Sequence, residues 1–351
     1  MPTFQDLIST AIDKGASDLH LSAGMPPCLR INGFIVRLED TVYMPENIEN
    51  IVKDIIDEKH LAILQEAGEV DFAYSIPSLG RFRVNVFRQR GSLSMAVRIL
   101  NLRIPSPEEL GLPEAVVEMT DKRRGLILVT GATGSGKSTT LASLIDVINQ
   151  KHSYHIITLE DPIEYLHRHG KSIINQREMG TDSTSYSAAL RAALRQDPDV
   201  IFVGEMRDLE TISIAVTAAE TGHLVFSTLH TIGSANTVDR IIDVFPPYQQ
   251  QQIRTQLADV LQCVVSQQLV PKMNGKGRVA AIEVMLTNNA IRNHIREAKT
   301  FQIPTVIQTS GRMGMRTMDD ALYDLYSRGE ISRESALFYA QERTILSKRF
   351  F

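Results

Sequence analysis

The sequence predicts an α/β protein of two domains: a small α+β domain, then a larger one built on a mostly parallel sheet. Three observations predict it. The chain has 351 residues, and single hydrophobic cores stop growing at roughly 250–300 residues. From about residue 114 onward, short apolar runs alternate with amphipathic helical stretches, the rhythm of a parallel sheet with crossover helices. One strand–helix junction carries a glycine-rich loop, Gly131–Ser138, with the spacing of a phosphate loop.

The first domain follows from its periodicities. Phe4, Leu7, Ile8, Ala11 and Ile12 share one helical face, and Gly15 stops that helix. Leu29–Leu38 alternates about Asn32-Gly33, a type I′ hairpin signal. Ile48, Ile51, Val52, Ile55 and Ile56 mark a second amphipathic helix, and Val70–Ile76, Arg81–Arg88 and Ser92–Leu100 read as strands. Asn101–Pro113, with prolines at 105, 107 and 113, reads as a linker. Beyond it, strands are expected at Leu126–Thr130, Ile156–Leu159, Val200–Val203 and Leu224–Thr228. Helices are expected at Lys137–Asn149, Ser185–Arg195 and Leu209–Glu220. From Pro246 the chain reads as mainly helical, with one strand-like run at Arg278–Met285.

Composition narrows the functional classes. Apolar residues are 43% and charged residues 22%, a folded globular balance. A formal net charge of −4 argues against nucleic acid as the main partner, because holding a phosphate backbone takes a basic face. Cys28 and Cys263 are too few for a disulfide framework or a four-thiolate zinc site. They are expected to be reduced core thiols. Met1–Asp6 has neither the basic nor the apolar region of a signal peptide. No apolar run approaches the roughly 20 residues that span a bilayer, so a cytoplasmic location is expected, with membrane contact only through a partner or a surface.

In the phosphate loop each residue type has a reason to be present. Glycines let backbone N–H groups turn toward a phosphate without a Cβ in the way. The helix starting near Lys137 adds its positive dipole end. Lys137 is placed to reach the β- and γ-phosphates, and Ser138 to ligate magnesium. The nucleotide-binding set is Gly131, Thr133, Gly134, Ser135, Gly136, Lys137, Ser138 and Thr139. A glycine-rich turn that binds nothing is the alternative. The strand Val200–Val203 leads to Glu205, and carboxylates at strand tips sit where α/β folds place ligands. Glu205 is read as the magnesium carboxylate, against the alternative of a surface acid paired with Arg207. Glu160, Asp161 and Glu164 follow another strand, and one of them is a candidate general base. Repulsion among three acids is a cost that a fold alone gives no reason to bear. His223 and His230 flank Leu224–Thr228 and are expected near the same edge, sensing the γ-phosphate, or else as polar strand caps.

These segments resemble the motifs of secretion-superfamily ATPases of the GspE/PilT family. Gly131–Ser138 resembles their Walker A motif, Thr158–Glu164 the Asp box, Gly204–Asp208 the Walker B motif and Glu220–His230 the His box. Gly15–Leu21 and Ala290–Glu297 are similar to stretches of the type IV pilus retraction ATPases, with His294 where that signature has leucine. The resemblance implies a PAS-like N-terminal domain (1–100), the linker (101–113) and a RecA-like ATPase domain (114–351) with a helical C-terminal part. It implies a homo-hexameric ring that binds ATP and Mg2+. In it Glu164 would be the general base, Glu205 would handle magnesium and His230 would sense the γ-phosphate. Arginines of the first domain, among Arg81, Arg83, Arg88 and Arg98, would complete the site. It further implies peripheral association with the inner membrane, an inner-membrane pilus platform protein as partner, and pilus retraction in twitching motility as the function.

Four alternatives accompany this reading. They are an accessory retraction paralogue, a pilus-extension or type II secretion ATPase, a RecA-like nucleic-acid motor, and a nucleotide-binding scaffold that does not hydrolyse. Extension and secretion ATPases are typically longer and commonly carry a four-cysteine metal loop, so two cysteines and a short start count against them.

Overall fold

The computed structural model describes residues 2–31, 33–77, 79–100 and 103–350. The chain divides into two compact units, one of residues 1–103 with 164–166, the other of residues 104–163 with 167–351.

The first unit is a six-stranded antiparallel sheet. Its strands are β1 (Asp18–Ser22), β2 (Cys28–Ile31), β3 (Phe34–Arg37), β4 (Glu69–Ile76), β5 (Gly80–Gln89) and β6 (Ser92–Ile99), in the order β3-β2-β1-β6-β5-β4. Alternation along β4 and β5 buries Val70, Phe72, Phe82, Val84 and Val86 on one face, as half-buried strands require. The helices Phe4–Asp13 and Pro45–Ile55 close that face with Leu7, Ile8, Ile48 and Val52. Gly15 follows the first helix with φ 65°, as its stop. Of the expected hairpin turn, Asn32 lies outside the described residues, while Gly33 has φ 88° and Ile31 pairs with Phe34 across it. Asn101 and Leu102 of the expected linker also lie outside them. The strand β1 and a helix at Glu58–Ala67 are additions to the expected elements.

The second unit is built on seven strands: β7 (Gly125–Thr130), β8 (His155–Glu160), β9 (Ile173–Glu178), β10 (Val200–Val203), β11 (Leu224–Leu229), β12 (Leu261–Pro271) and β13 (Arg278–Leu286), ordered β13-β12-β7-β11-β10-β8-β9. All pairings are parallel except β12 with β13, so the fold is α/β with mixed strand directions. Both faces are covered. Ile127 and Val129 pack on Leu141, Leu144 and Ile148 of the helix Lys137–Lys151, while Leu126 and Leu128 join Ile212 and Val216 of the helix Leu209–Glu220. Burying such side chains stabilises by about 1.5–3 kcal/mol each, and it leaves the strand tips as the place open to chemistry. A further apolar cluster joins Val270 to Met318 and Leu322 of the C-terminal helices.

One expectation is corrected. The stretch after Pro246 is not helical up to Arg278: β12 is an 11-residue interior strand of the sheet, between β13 and β7. The helix Pro247–Val260 passes straight into it at Leu261, with no glycine or proline to mark the boundary. Its central residues are buried on both faces, so they show no alternation. Cys263 lies there as a free thiol, fully buried, and burial pushes it up to about 12. In the native protein Cys263 is therefore expected to resist an alkylating thiol reagent until the sheet unfolds. Mass spectrometry of labelled native chain checks this, and rapid labelling of Cys263 would contradict its place in the sheet.

Candidate active site

The phosphate loop is shaped by what stands beside it. β7 ends at Thr130, and the chain turns at Gly131 with φ 144°. It enters the helix Lys137–Lys151 through Gly136, φ 91°. A Cβ on Gly131 would lie 2.3 Å from the Gln267 carbonyl oxygen, and one on Gly136 2.8 Å from the Gln267 side-chain nitrogen. Gln267 of β12 is thus the wall of the loop. Its amide donates to the Ser135 carbonyl and its Oε1 accepts from the Thr140 hydroxyl, each at 2.8 Å. Parallel register puts it there, since Ser266 pairs with Thr130.

Inside this frame Lys137 is buried, and its ammonium donates to the carbonyls of Gly131 (2.9 Å) and Ala132 (3.1 Å). A cation and the N–H end of a helix meet at one loop, the ingredients of an anion site. The Ser135 hydroxyl is buried there with no hydrogen-bond partner among the described residues. Ser138 and Thr139 are half-buried on the first turn. A cavity of about 400 Å³ opens beside the loop, walled by Thr139, Thr140, Gln267, Arg278 and Arg316.

The neighbouring strand tips add acids. The Glu205 carboxylate takes Nε of Arg207 at 2.7 Å and lies 3.6 Å from His230 Nε2. His230 Nδ1 is 3.4 Å from the Thr133 hydroxyl, so this ring joins the loop to Glu205. Burial, then the charge of Lys137, holds the His230 imidazole below its ordinary value, with Glu205 opposing. At the tip of β8 the buried Glu160 accepts from the Thr158 hydroxyl (2.6 Å) and the Gln176 amide (3.0 Å). The Glu178 carboxylate holds the Ile163 N–H at 3.0 Å. Tyr186 brings its hydroxyl against Gly204. Burial raises this phenol well above the tyrosine range, and the charges of Glu205, Asp161 and Glu160 add to that.

Of the residues named from sequence, Gly131, Thr133, Gly134, Ser135, Gly136, Lys137, Ser138, Thr139, Glu205 and His230 lie together at this edge. His223 does not. It precedes β11, its Nδ1 meets the Ala218 carbonyl at 3.0 Å, and its own carbonyl accepts from Gly125 at the start of β7. The six-residue strand puts about 20 Å between the two histidines, so His223 is at the edge opposite the loop. Arg81, Arg83 and Arg98 lie on β5 and β6 of the first unit, where Arg83 pairs with Asp71 (2.9 Å) and Arg98 with Asp18 (3.0 Å). Glu164 is exposed and groups with the first unit. Sequence reasoning missed Gln267, Thr140, Arg278, Glu178 and Tyr186. The signal for Gln267 was a β-branched run, Val264-Val265, leading into it, obscured by the helical reading of that stretch.

Known proteins match this chain along most of its length. A family model described as type II/IV secretion system protein matches residues 2–319. The type IV pilus retractation ATPase PilT of Pseudomonas aeruginosa is 48% identical over 331 residues, 94% of this chain and 96% of that protein. The type IV pilus ATPase PilU of the same organism is 42% identical, over 96% of this chain and 88% of that one. A crystal structure of the pilus retraction motor PilT with bound ADP superposes with a TM-score of 0.94 at 51% identity, covering 99% of this chain and 100% of the other.

Two measurements check the site. Gln267→Ala leaves the Ser135 carbonyl and Thr140 hydroxyl unpaired, and an expected loss of about 1–3 kcal/mol in urea unfolding of the nucleotide-free protein follows. No change in the unfolding midpoint would contradict Gln267 as the loop wall. His230 is expected to titrate below about 6.5 by histidine-selective NMR. Lys137→Ala should raise the midpoint by removing a cation, and Glu205→Gln should lower it. A midpoint above that of free imidazole would contradict the arrangement.

Proposed function

The chain belongs to the type II/IV secretion system protein family, and on that premise we propose that it hydrolyses MgATP to drive retraction of a type IV pilus. The observation that carries this reading is the buried Lys137 inside a glycine cradle, with Glu205 and His230 on the adjoining strand tips. Its 48% identity to a protein named for pilus retraction supplies the direction of the motor.

The proposed reaction is phosphoryl transfer to water. Lys137 exchanges the Gly131 and Ala132 carbonyls for phosphate oxygens, and the loop N–H groups bind the rest of the phosphate chain. The cavity beside the loop takes the nucleoside. A water oxygen attacks the γ-phosphorus while the bond to the β–γ bridging oxygen breaks, leaving ADP and inorganic phosphate. The proton from that water goes to Glu164. Ser138 and Glu205 offer the oxygen donors that magnesium prefers. A magnesium ion held by them would neutralise phosphate charge. His230, joined to both Thr133 and Glu205, is placed to register whether the γ-phosphate is present.

We extend the reading to the assembly. Residues 1–100 form a PAS-like domain, 101–113 a linker and 114–351 a RecA-like ATPase domain. Six copies form a ring in the cytoplasm at the inner membrane and act on the pilus platform. Arg81, Arg83 and Arg98 of the first domain supply positive charge to the γ-phosphate. Arg83 and Arg98 are cross-strand neighbours already bound to Asp71 and Asp18, so delivery requires them to exchange carboxylate for phosphate. An accessory retraction role is the second reading, left open by His294 where the retraction signature has leucine.

Lys137→Ala is expected to cut ATP turnover at least about 100-fold, measured by phosphate release, and wild-type turnover in that variant would end the proposal. Glu164→Gln is expected to bind a fluorescent ATP analogue normally yet fail to release phosphate, which separates an enzyme from a scaffold. Deleting the gene should leave cells with excess pili and no twitching. Loss of pili would assign extension instead, and excess pili with twitching retained would assign the accessory role.

A further inference from the structure

Tyr186 stands at the acidic edge, outside the four motifs. It opens the helix Tyr186–Ala193, which Ser185 caps. Its ring packs on the apolar cluster that contains Leu159 and Val203, so the ring is held and the hydroxyl is carried to one place. That place is over Gly204. A Cβ on Gly204 would lie 2.8 Å from the Tyr186 hydroxyl and 3.0 Å from the Leu159 carbonyl. Gly204 is not among the residues with positive φ, so backbone conformation does not call for glycine here. The phenol does. The Gly204 backbone is pinned as well: its N–H donates to the Leu159 carbonyl at 2.7 Å, and its carbonyl accepts from the Thr228 hydroxyl at 2.5 Å.

Gly204 precedes Glu205, and Leu159 precedes Glu160 and Asp161. The hydroxyl therefore lies in the cleft between the tips of β8 and β10, within electrostatic range of all three carboxylates. Among the described residues none is hydrogen-bonded to it. Carboxylates only accept and repel one another, whereas a neutral hydroxyl donates without adding charge.

We propose that Tyr186 is a positioning residue for hydrolysis: its phenol, seated on Gly204, orders the water between the tips of β8 and β10 and thereby orients the Glu205 carboxylate. This rests on the ATPase reading above.

Tyr186→Phe keeps the ring and removes only the donor. The expected result is a fall in kcat of about tenfold or more. KM for ATP and the dissociation constant of a fluorescent ATP analogue stay within about twofold. Wild-type kcat in this variant overturns the proposal, as does a loss confined to KM. A wild-type chain with no ATPase activity overturns the underlying function as well, which distinguishes the two failures. Gly204→Ala supplies a readout independent of activity. Its methyl group meets the hydroxyl as well as the Leu159 carbonyl, so it should lower the melting temperature of the nucleotide-free protein, and lower it less when Tyr186 is already Phe and only the carbonyl contact is left. Equal effects in both backgrounds would show that the glycine does not accommodate the phenol, and would overturn the proposal.

Discussion

A buried ammonium is the constraint on which the rest of the second unit depends. Lys137 is 8% exposed, and a charge withdrawn from water is costly unless it is paired or hydrogen-bonded. Its partners here are two carbonyls of its own loop, reachable because Gly131 and Gly136 take conformations and contacts that a side chain forbids. Gln267 locks that loop from the adjacent strand. Neutral backbone dipoles thus hold the cation, an arrangement that a phosphate anion would improve at little reorganisation cost.

The sheet order distributes the remaining chemistry around that cation. β7 lies between β12 and β11, with β10 next to β11. These strands present Gln267, His230 and Glu205 in turn. Because both faces of the sheet are buried, the tips form a rigid rim, and the loops above it are what can respond to a ligand. One chain of contacts leads away from it. The loop after His230 leads to Ser234, whose N–H and hydroxyl both bind the buried Glu283, and the same carboxylate accepts from the N–H of Met318 in the C-terminal helices. Hydrogen bonds within one unit thus connect the segment after His230 to those helices.

Much of this was legible in the sequence, and for physical reasons. Leu126–Thr130 is apolar throughout because both its faces are covered, and the glycines after it need no context to be informative. Glu205 follows the rule that ligands gather at carboxyl ends of parallel strands. The same rule, applied to strand direction, places His230 at the active edge and His223 at the other. Flanking a strand is not the same as sharing its tip. β12 was hidden because a glutamine-rich helix runs into a doubly buried strand without punctuation, and Gln267 was hidden with it. Tyr186 and Glu178 act through tertiary approach to Gly204 and Ile163, which spacing along the chain does not encode.

The central claim is that the loop grips the terminal phosphates of a nucleotide, and it is tested most directly by comparing ADP with AMP in isothermal titration calorimetry with magnesium present. Because Lys137 and the loop amides act beyond the α-phosphate, the account predicts that AMP binds at least about 100-fold more weakly than ADP, a difference near 2.7 kcal/mol. AMP binding as tightly as ADP would place recognition in the nucleoside cavity and contradict the claim.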